Sequence, residues 1–270
     1  MKEQEEELLL KKRFMDLSRL ADKRDIVTFS NFLNLNEINL FFQTTSELAT
    51  HYRLFGGYEF AERQMVAFIP DALYYARDME SAVTGDGQDS NGRGYGFPIA
   101  CLKFVPANPR FAEKLTHRDI LGALMSLGIE RSKIGDIKVE AGAYYVFCEE
   151  ELSDYLLASI ESIRHTAVRG ERVDANSFHM EQKFEELGGI VASNRLDNIV
   201  AFLTGKARAK SVSLIQGQKV FVNQKLILSN SYECKANDVI SIRGFGKYIF
   251  LGSSGETRKG RTKINIKKYV

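Results

Sequence analysis

The sequence predicts an α+β chain organised as three small domains, over residues 1–80, 81–180 and 181–270. Three observations carry that expectation. At 270 residues the chain exceeds the roughly 100–200 residues of one ordinary domain. From Pro98 the hydrophobic pattern switches repeatedly between strand-like and helical, in the order β-α-β-β-α-β. The charge is also divided: residues 190–270 hold 15 Lys and Arg against 4 Asp and Glu, while the residues before them hold 22 against 31, so the net +2 conceals a basic last third. A hydrophobic content of 44% with only 4 Pro excludes a disordered or low-complexity chain.

The first expected helix covers residues 2–22, where Leu10, Phe14, Leu17 and Leu20 recur at spacings of three or four and lay down one apolar stripe. Asn34 with Glu37 three residues later forms a capping box before Ile38, Leu40, Phe41 and Phe42. Gly56-Gly57-Tyr58 followed by Arg63 to Pro70 predicts a turn and a buried strand ended by proline. Residues 81–96, with Gly85, Gly87, Gly92, Gly94 and Gly96 among Asp, Ser and Asn, are expected to be a flexible loop. Their G-x-G-x-G run lacks the G-K-[ST] and the following helix that a phosphate cradle requires.

Beyond that loop the pattern gives a strand at Ile99–Val105, then a helix boxed by Thr116 and Asp119 and stopped by Gly128. Strands follow at Ile134–Val139 and Ala143–Phe147, a helix from about Leu152 to Ile163, and a closing strand at Val168–Val173. This order builds a ferredoxin-like sandwich, the RRM-like layout of RNA-recognition modules, which also hosts many unrelated functions. Such modules stack bases on aromatics of the third strand, where this chain has Tyr144, Tyr145 and Phe147. The glycines and basic residue of that signature are missing, so core packing is the preferred use of these rings.

Residues 193–223 read as two short helices and a strand. Asp197 lies in the first turn of one helix, Ile199, Val200 and Leu203 supply its apolar stripe, and Gly205 stops it. Arg208 and Lys210 open the second helix, with Val212, Leu214 and Ile215 inward and Gly217 at its end. Arg195, Lys206, Arg208 and Lys210 therefore gather at one helix junction, where guanidiniums and helix N-termini suit phosphate. Farther on, Val239–Arg243, Lys247–Leu251 and Lys263–Tyr269 are strand-like, with Gly252–Gly260 as a hairpin tip in a segment of eight basic residues against Glu256. A basic module of this kind attracts polyanions by counterion release, which makes nucleic acid the expected partner. A solvated face or an acidic lipid surface is the competing reading.

The C-terminal stretch resembles the RNA-binding domain first seen in the small-subunit ribosomal protein S-four. The matching elements are Arg195-Leu196-Asp197, Arg208 opening the second helix, Leu214 to Gly217, Val220 to Asn223 and Asn237 to Lys247. Ala207 stands where that family usually has Ser, and Ser211 where it usually has Ala. Gly56 to Arg63, Thr116 to Ile137 and Gly255 to Arg261 are similar to the YlmH family, so the resemblance spans almost the whole chain.

That resemblance implies a non-catalytic factor that binds ribosomal RNA and peptidyl-tRNA on the large ribosomal subunit. It also implies a part in ribosome-associated quality control and alanine tailing of stalled chains, with quality-control or cell-division proteins as further partners. The expected RNA-binding set is Arg195, Lys206, Arg208, Lys210, Lys219, Asn223, Arg243, Lys247, Arg258, Lys259 and Arg261.

No cofactor and no metal is expected. Cys101, Cys148 and Cys234 are far apart, and His51, His117, His165 and His179 form no ligand spacing. No apolar run is long enough for a membrane span and the N-terminus is acidic, so a cytosolic, ribosome-associated protein is expected. The enzymatic alternative is a pseudouridine synthase or its remnant, because those enzymes use an Asp in an R-L-D motif. Here the motif lies inside the binding module without the following T-x-G-L. His117-Arg118-Asp119 invites an acid-base reading that the capping box explains without chemistry. A protein-interaction scaffold linked to cell division is the other alternative.

Overall fold

A computed structural model of the chain describes residues 2–59, 61–76, 95–140, 142–173, 184–258 and 260–269. It divides into two compact units, Met1–His179 and Met180–Val270. The expected glycine-rich loop lies, up to residue 94, outside the described residues.

In the first unit, α1 (Lys2–Arg24) and α2 (Leu35–Thr44) accompany a three-stranded antiparallel sheet of β1 (Thr28–Phe29), β2 (His51–Phe55) and β3 (Met65–Ile69), in the order β1-β3-β2. The Asn34 side-chain oxygen accepts from the N–H groups of Asn36 and Glu37 at 2.9 and 3.2 Å, and the Glu37 carboxylate accepts from the Asn34 N–H at 2.6 Å. Such a cap is worth about 1 kcal/mol and fixes where α2 starts. All five residues of β3 are buried. Phe14, Ile38, Phe41, Val66 and Phe68 close the core, with Phe14 and Phe41 edge to face at 5.4 Å.

The same unit carries β4 (Ile99–Pro106), α3 (His117–Ser126), β5 (Ile134–Glu140), β6 (Ala143–Glu149), α4 (Ser153–Ser159), β7 (Ser162–Ile163) and β8 (Thr166–Val173). Its five-stranded sheet runs β5-β6-β4-β8-β7 with every neighbouring pair antiparallel. With the short β7 set aside, this is the strand order of the ferredoxin-like sandwich. The second helix is shorter than the pattern indicates. It ends at Ser159, because Ser162–Ile163 pairs back onto Thr166–Ala167 through a turn in which Arg164 takes a positive φ of 55°. Tyr144, Val146 and Cys148 alternate into the core beneath the helices, with Ala100, Leu102 and Phe104 of β4 beside them.

The second unit contains β9 (Phe184–Val191), α5 (Leu196–Thr204), α6 (Arg208–Gln216), β10 (Val220–Val222), β11 (Lys225–Leu226), β12 (Asp238–Ile242), β13 (Gly246–Glu256) and β14 (Thr262–Tyr269). They form one antiparallel sheet, β11-β10-β12-β13-β14-β9, whose inner face packs Ile240, Ile242, Tyr248, Phe250, Ile264 and Ile266 against Leu196, Ile199, Val200, Leu214 and Ile215 of the helices. Two sequence expectations change here. In α6 it is Ser211 and not Val212 that is fully buried, its hydroxyl donating to the Ala207 carbonyl at 3.4 Å. The strand β13 continues through Glu256, so the hairpin tip is shorter than Gly252–Gly260. Register shifts at Phe250/Gly252 and Ser253/Gly255 let the glycines stay in the ladder as bulges.

Two sequence blocks that carry the family resemblance meet in the interior of the first unit. Asp136, on β5 and 8% exposed, accepts from the Tyr58 hydroxyl at 2.5 Å and from the backbone N–H groups of Glu62 and Arg63 at 2.8 and 3.1 Å. Arg63 in turn donates to the carbonyls of Ile134 (2.9 Å), Phe32 (2.8 Å) and Arg131 (3.2 Å). Burial, with the negative charge of Asp136 added, pushes the Tyr58 hydroxyl far above its ordinary value, so it stays a donor. Tyr58 stacks on Phe147 at 4.9 Å. Gly57 has a φ of +97°, and a Cβ there would lie 2.4 Å from the Phe147 ring. Asp136→Ala strands three donors at once and is expected to cost about 3 kcal/mol, against roughly 1 kcal/mol for Tyr58→Phe. Urea unfolding of the two variants checks the ranking, and equal losses contradict it.

Candidate nucleic-acid interface

The junction of α5 and α6 is built around a carboxylate. Asp197, in the first turn of α5, is 1% exposed. Arg195, the residue before that helix, reaches it with Nε at 3.3 Å and Nη2 at 3.2 Å. Arg208, the first residue of α6, reaches it with Nε at 3.0 Å and Nη2 at 2.7 Å. Both arginine side chains remain part-exposed, at 42% and 60%. Burial pushes the Asp197 carboxyl up, and the hydrogen bonds and charges of the two arginines outweigh it, holding the carboxyl below the usual carboxylate range.

The chemical result is a fixed fork. Two guanidiniums lose rotamer freedom to one buried anion, yet each keeps an exposed edge with unspent N–H donors, which matches the planar demands of phosphate or a base edge. The site carries net positive charge, since two cations share one anion and the exposed Lys206 and Lys210 flank the turn. Gly205 ends α5 with a φ of 62°, which brings Lys206 and Arg208 round onto the same corner. Ala207 caps α6 without a side-chain hydrogen bond, and Ser211 one turn later bonds to its carbonyl. The hydroxyl missing from the cap position thus reappears inside the helix.

The other expected residues sit elsewhere on the second unit. Lys219 and Arg243 are neighbours at the end of the sheet, where the Arg243 N–H donates to the Lys219 carbonyl at 2.9 Å and its guanidinium lies 5.5 Å from the centre of the Phe221 ring. Lys247 lies 5.0 Å from the Tyr269 ring centre. Asn223 takes a positive φ of 49°, donates to the Asp238 carboxylate at 2.8 Å and accepts from the Val239 N–H at 2.9 Å, so its amide shapes the β10–β11 turn. Arg258 and Arg261 are exposed at the β13–β14 tip, and Lys259 lies outside the described residues. Sequence reasoning missed the role of Asp197, which it read as a helix-dipole partner and as the Asp of an R-L-D motif. The signal was an Asp two residues after one Arg and shortly before another.

The R-L-D aspartate offers no free carboxylate for attack on a base, because both oxygens are buried and bonded. Asp119 of the H-R-D string accepts from the backbone N–H and hydroxyl of Thr116 at 2.8 and 2.7 Å, as the capping reading expects. All three cysteines are free and buried, and burial pushes each thiol up to about 12. Among the described residues no group of three or more His, Cys, Asp or Glu is arranged to hold a metal, and no helix is long and apolar enough to cross a membrane.

Residues 97–177 match the family model described as "Putative RNA-binding domain in YlmH", and residues 194–240 match the "S4 domain". The chain is 25% identical over 258 residues to "Ribosome-associated protein quality control protein P2" of Bacillus subtilis (strain 168), covering 94% of this chain and 92% of that protein. The chain thus carries a segment of the RNA-binding type described for YlmH and an S4 domain. Among solved structures it is similar to "Cell division protein ylmH from Streptococcus pneumoniae", with a TM-score of 0.46 and 20% identity over 62% of this chain and 91% of that one. The two matched segments coincide with the ferredoxin-like sheet and with the module that carries the arginine fork.

Asp197 gives the junction a pH signature. Its depressed carboxyl contributes stability that is complete above the ordinary carboxylate range and is lost as pH falls through the folded-state value. Asp197→Asn is expected to cost about 1–3 kcal/mol at neutral pH. Chemical unfolding across the acid range should show the gap to wild type shrinking as the medium is acidified. A gap that persists or widens in acid counts against the ion pair as its source.

Proposed function

We propose that the chain is a non-catalytic, ribosome-associated RNA-binding factor that docks on structured RNA of the large ribosomal subunit through its S4 domain and touches tRNA there. Its role in this reading is ribosome-associated quality control, in support of alanine tailing of stalled nascent chains. The observation that carries the reading is the Arg195–Asp197–Arg208 fork, in which a buried carboxylate presents two part-exposed guanidiniums at a lysine-flanked corner. The excess of 15 basic over 4 acidic residues in positions 190–270 supplies the long-range attraction. The quality-control part draws on the similarity to the Bacillus subtilis quality-control protein.

The test is co-sedimentation with purified ribosomal subunits. Arg195→Ala and Arg208→Ala are each expected to weaken binding by about 1–3 kcal/mol. Both also release Asp197, so each needs a matching unfolding curve. Lys206→Gln with Lys210→Gln leaves the ion pairs whole and should reduce binding and the steepness of its salt dependence, because fewer phosphates are neutralised. Undiminished co-sedimentation of the folded double lysine variant together with the folded arginine variants rules out docking through this corner.

A further inference from the structure

We propose that the overhanging first turns of α1 dock on the same segment of a second copy of this chain, the two helices running antiparallel about a two-fold axis between Leu8 and Leu9. This goes beyond the RNA-binding reading above and does not rest on it.

The helix extends past the core it packs on. Phe14 and Ala21 are its buried apolar residues, with Leu10 and Leu17 packed beside them. Residues 4–9 are all exposed, about 9 Å of helix at 1.5 Å per residue. Within that stretch Leu8 and Leu9 stand 69% and 66% exposed. At 3.6 residues per turn, Glu5, Leu8, Leu9 and Lys12 share the side of α1 opposite Phe14 and Ala21. The neighbouring cations are spent on the body of the unit. Lys11 Nζ donates to Gln43 Oε1 at 2.8 Å, and Arg13 Nη2 donates to Asn31 Oδ1 at 3.1 Å. Glu5 and Lys12, both exposed, have no ion pair and no side-chain hydrogen bond among the described residues.

The order along this outer face, an acid, two leucines and a base, is complementary to itself when reversed. In the antiparallel pair Glu5 meets the partner's Lys12, Lys12 meets the partner's Glu5, and the leucines of both copies close between the two ion pairs. A parallel pair would set Glu5 against Glu5 and Lys12 against Lys12. Sliding one antiparallel helix by a turn in either direction would set Glu5 against Leu8 or against Asp16. A wholly basic foreign helix would satisfy Glu5 and repel Lys12, and a wholly acidic one would do the reverse, so charge complementarity selects a second copy. Such a contact is isologous and closes at two chains. Four leucines and two ion pairs bury less than the roughly 800 Å² per partner of a standard complex, so the association depends on concentration.

Sedimentation equilibrium of the full chain tests this. The mean mass should rise from 30.5 kDa towards twice that value as concentration climbs into the sub-millimolar range. Leu8→Gln with Leu9→Gln should remove the rise and leave the far-UV circular dichroism of the wild type, because neither side chain supports the core. Glu5→Lys and Lys12→Glu each turn both exposed ion pairs into repulsions and should weaken self-association about tenfold. Mixing those two variants in equal amounts restores both pairs in a heterodimer, and combining the substitutions in one chain restores them in a homodimer, so wild-type association should return in each case. A chain that stays at 30.5 kDa throughout, a wild-type rise in the folded leucine variant, or mixed variants that associate no better than either alone each overturn the proposal. None of these substitutions touches the arginine fork, so ribosome co-sedimentation decides the RNA-binding reading separately.

Discussion

A carboxylate at 1% exposure survives only if positive partners replace the water it has lost, and Asp197 has two. That requirement organises the α5–α6 corner. It ties the residue before α5 to the first residue of α6, and it fixes the fork without consuming it. An arginine held from behind by an anion spends little further entropy when its outer edge meets phosphate, whereas a free surface arginine must be ordered at the moment of binding. Asp197 is therefore a positioning residue. In the proposed reading the contacts with RNA fall to the arginines.

The first unit repeats the device with a different outcome. Asp136 satisfies a tyrosine hydroxyl and two backbone N–H groups, and Arg63 beside it satisfies three carbonyls. Here the bonded donors and acceptors are turned inward, so Tyr58, Arg63 and Asp136 form an internal brace. It also covers part of the five-stranded sheet, because Tyr58 stacks on Phe147. A buried polar network thus shapes a surface without contributing a residue to it.

Features governed by neighbours in the chain were legible in the sequence. The capping boxes at Asn34/Glu37 and Thr116/Asp119 were readable because their partners are three residues apart. So were the left-handed stop at Gly205 and the order β-α-β-β-α-β. The strand Phe184–Val191 was not. Its Gly188 and Gly189 argue against a strand, and the reason for Gly189 lies in a distant residue: the Phe202 ring occupies the place of its Cβ at 2.4 Å. The same holds for Ser162–Ile163, a continuation of helix by pattern that becomes strand because Thr166–Ala167 is there to pair with it.

Sequence alone determined the charge division, the capped start of α2 and the gathering of Arg195, Lys206, Arg208 and Lys210 near one turn, because each depends on residue type and short spacing. Tertiary structure decided that Asp197 is the anchor of that cluster, that Asn223 is spent on a turn, and that the helices cover the face of Tyr144 while Tyr58 covers Phe147 on the opposite one. The physical reason is that a strand's alternation offers two faces without saying which one the helices will cover, and an ion pair exists only once folding brings its members within reach.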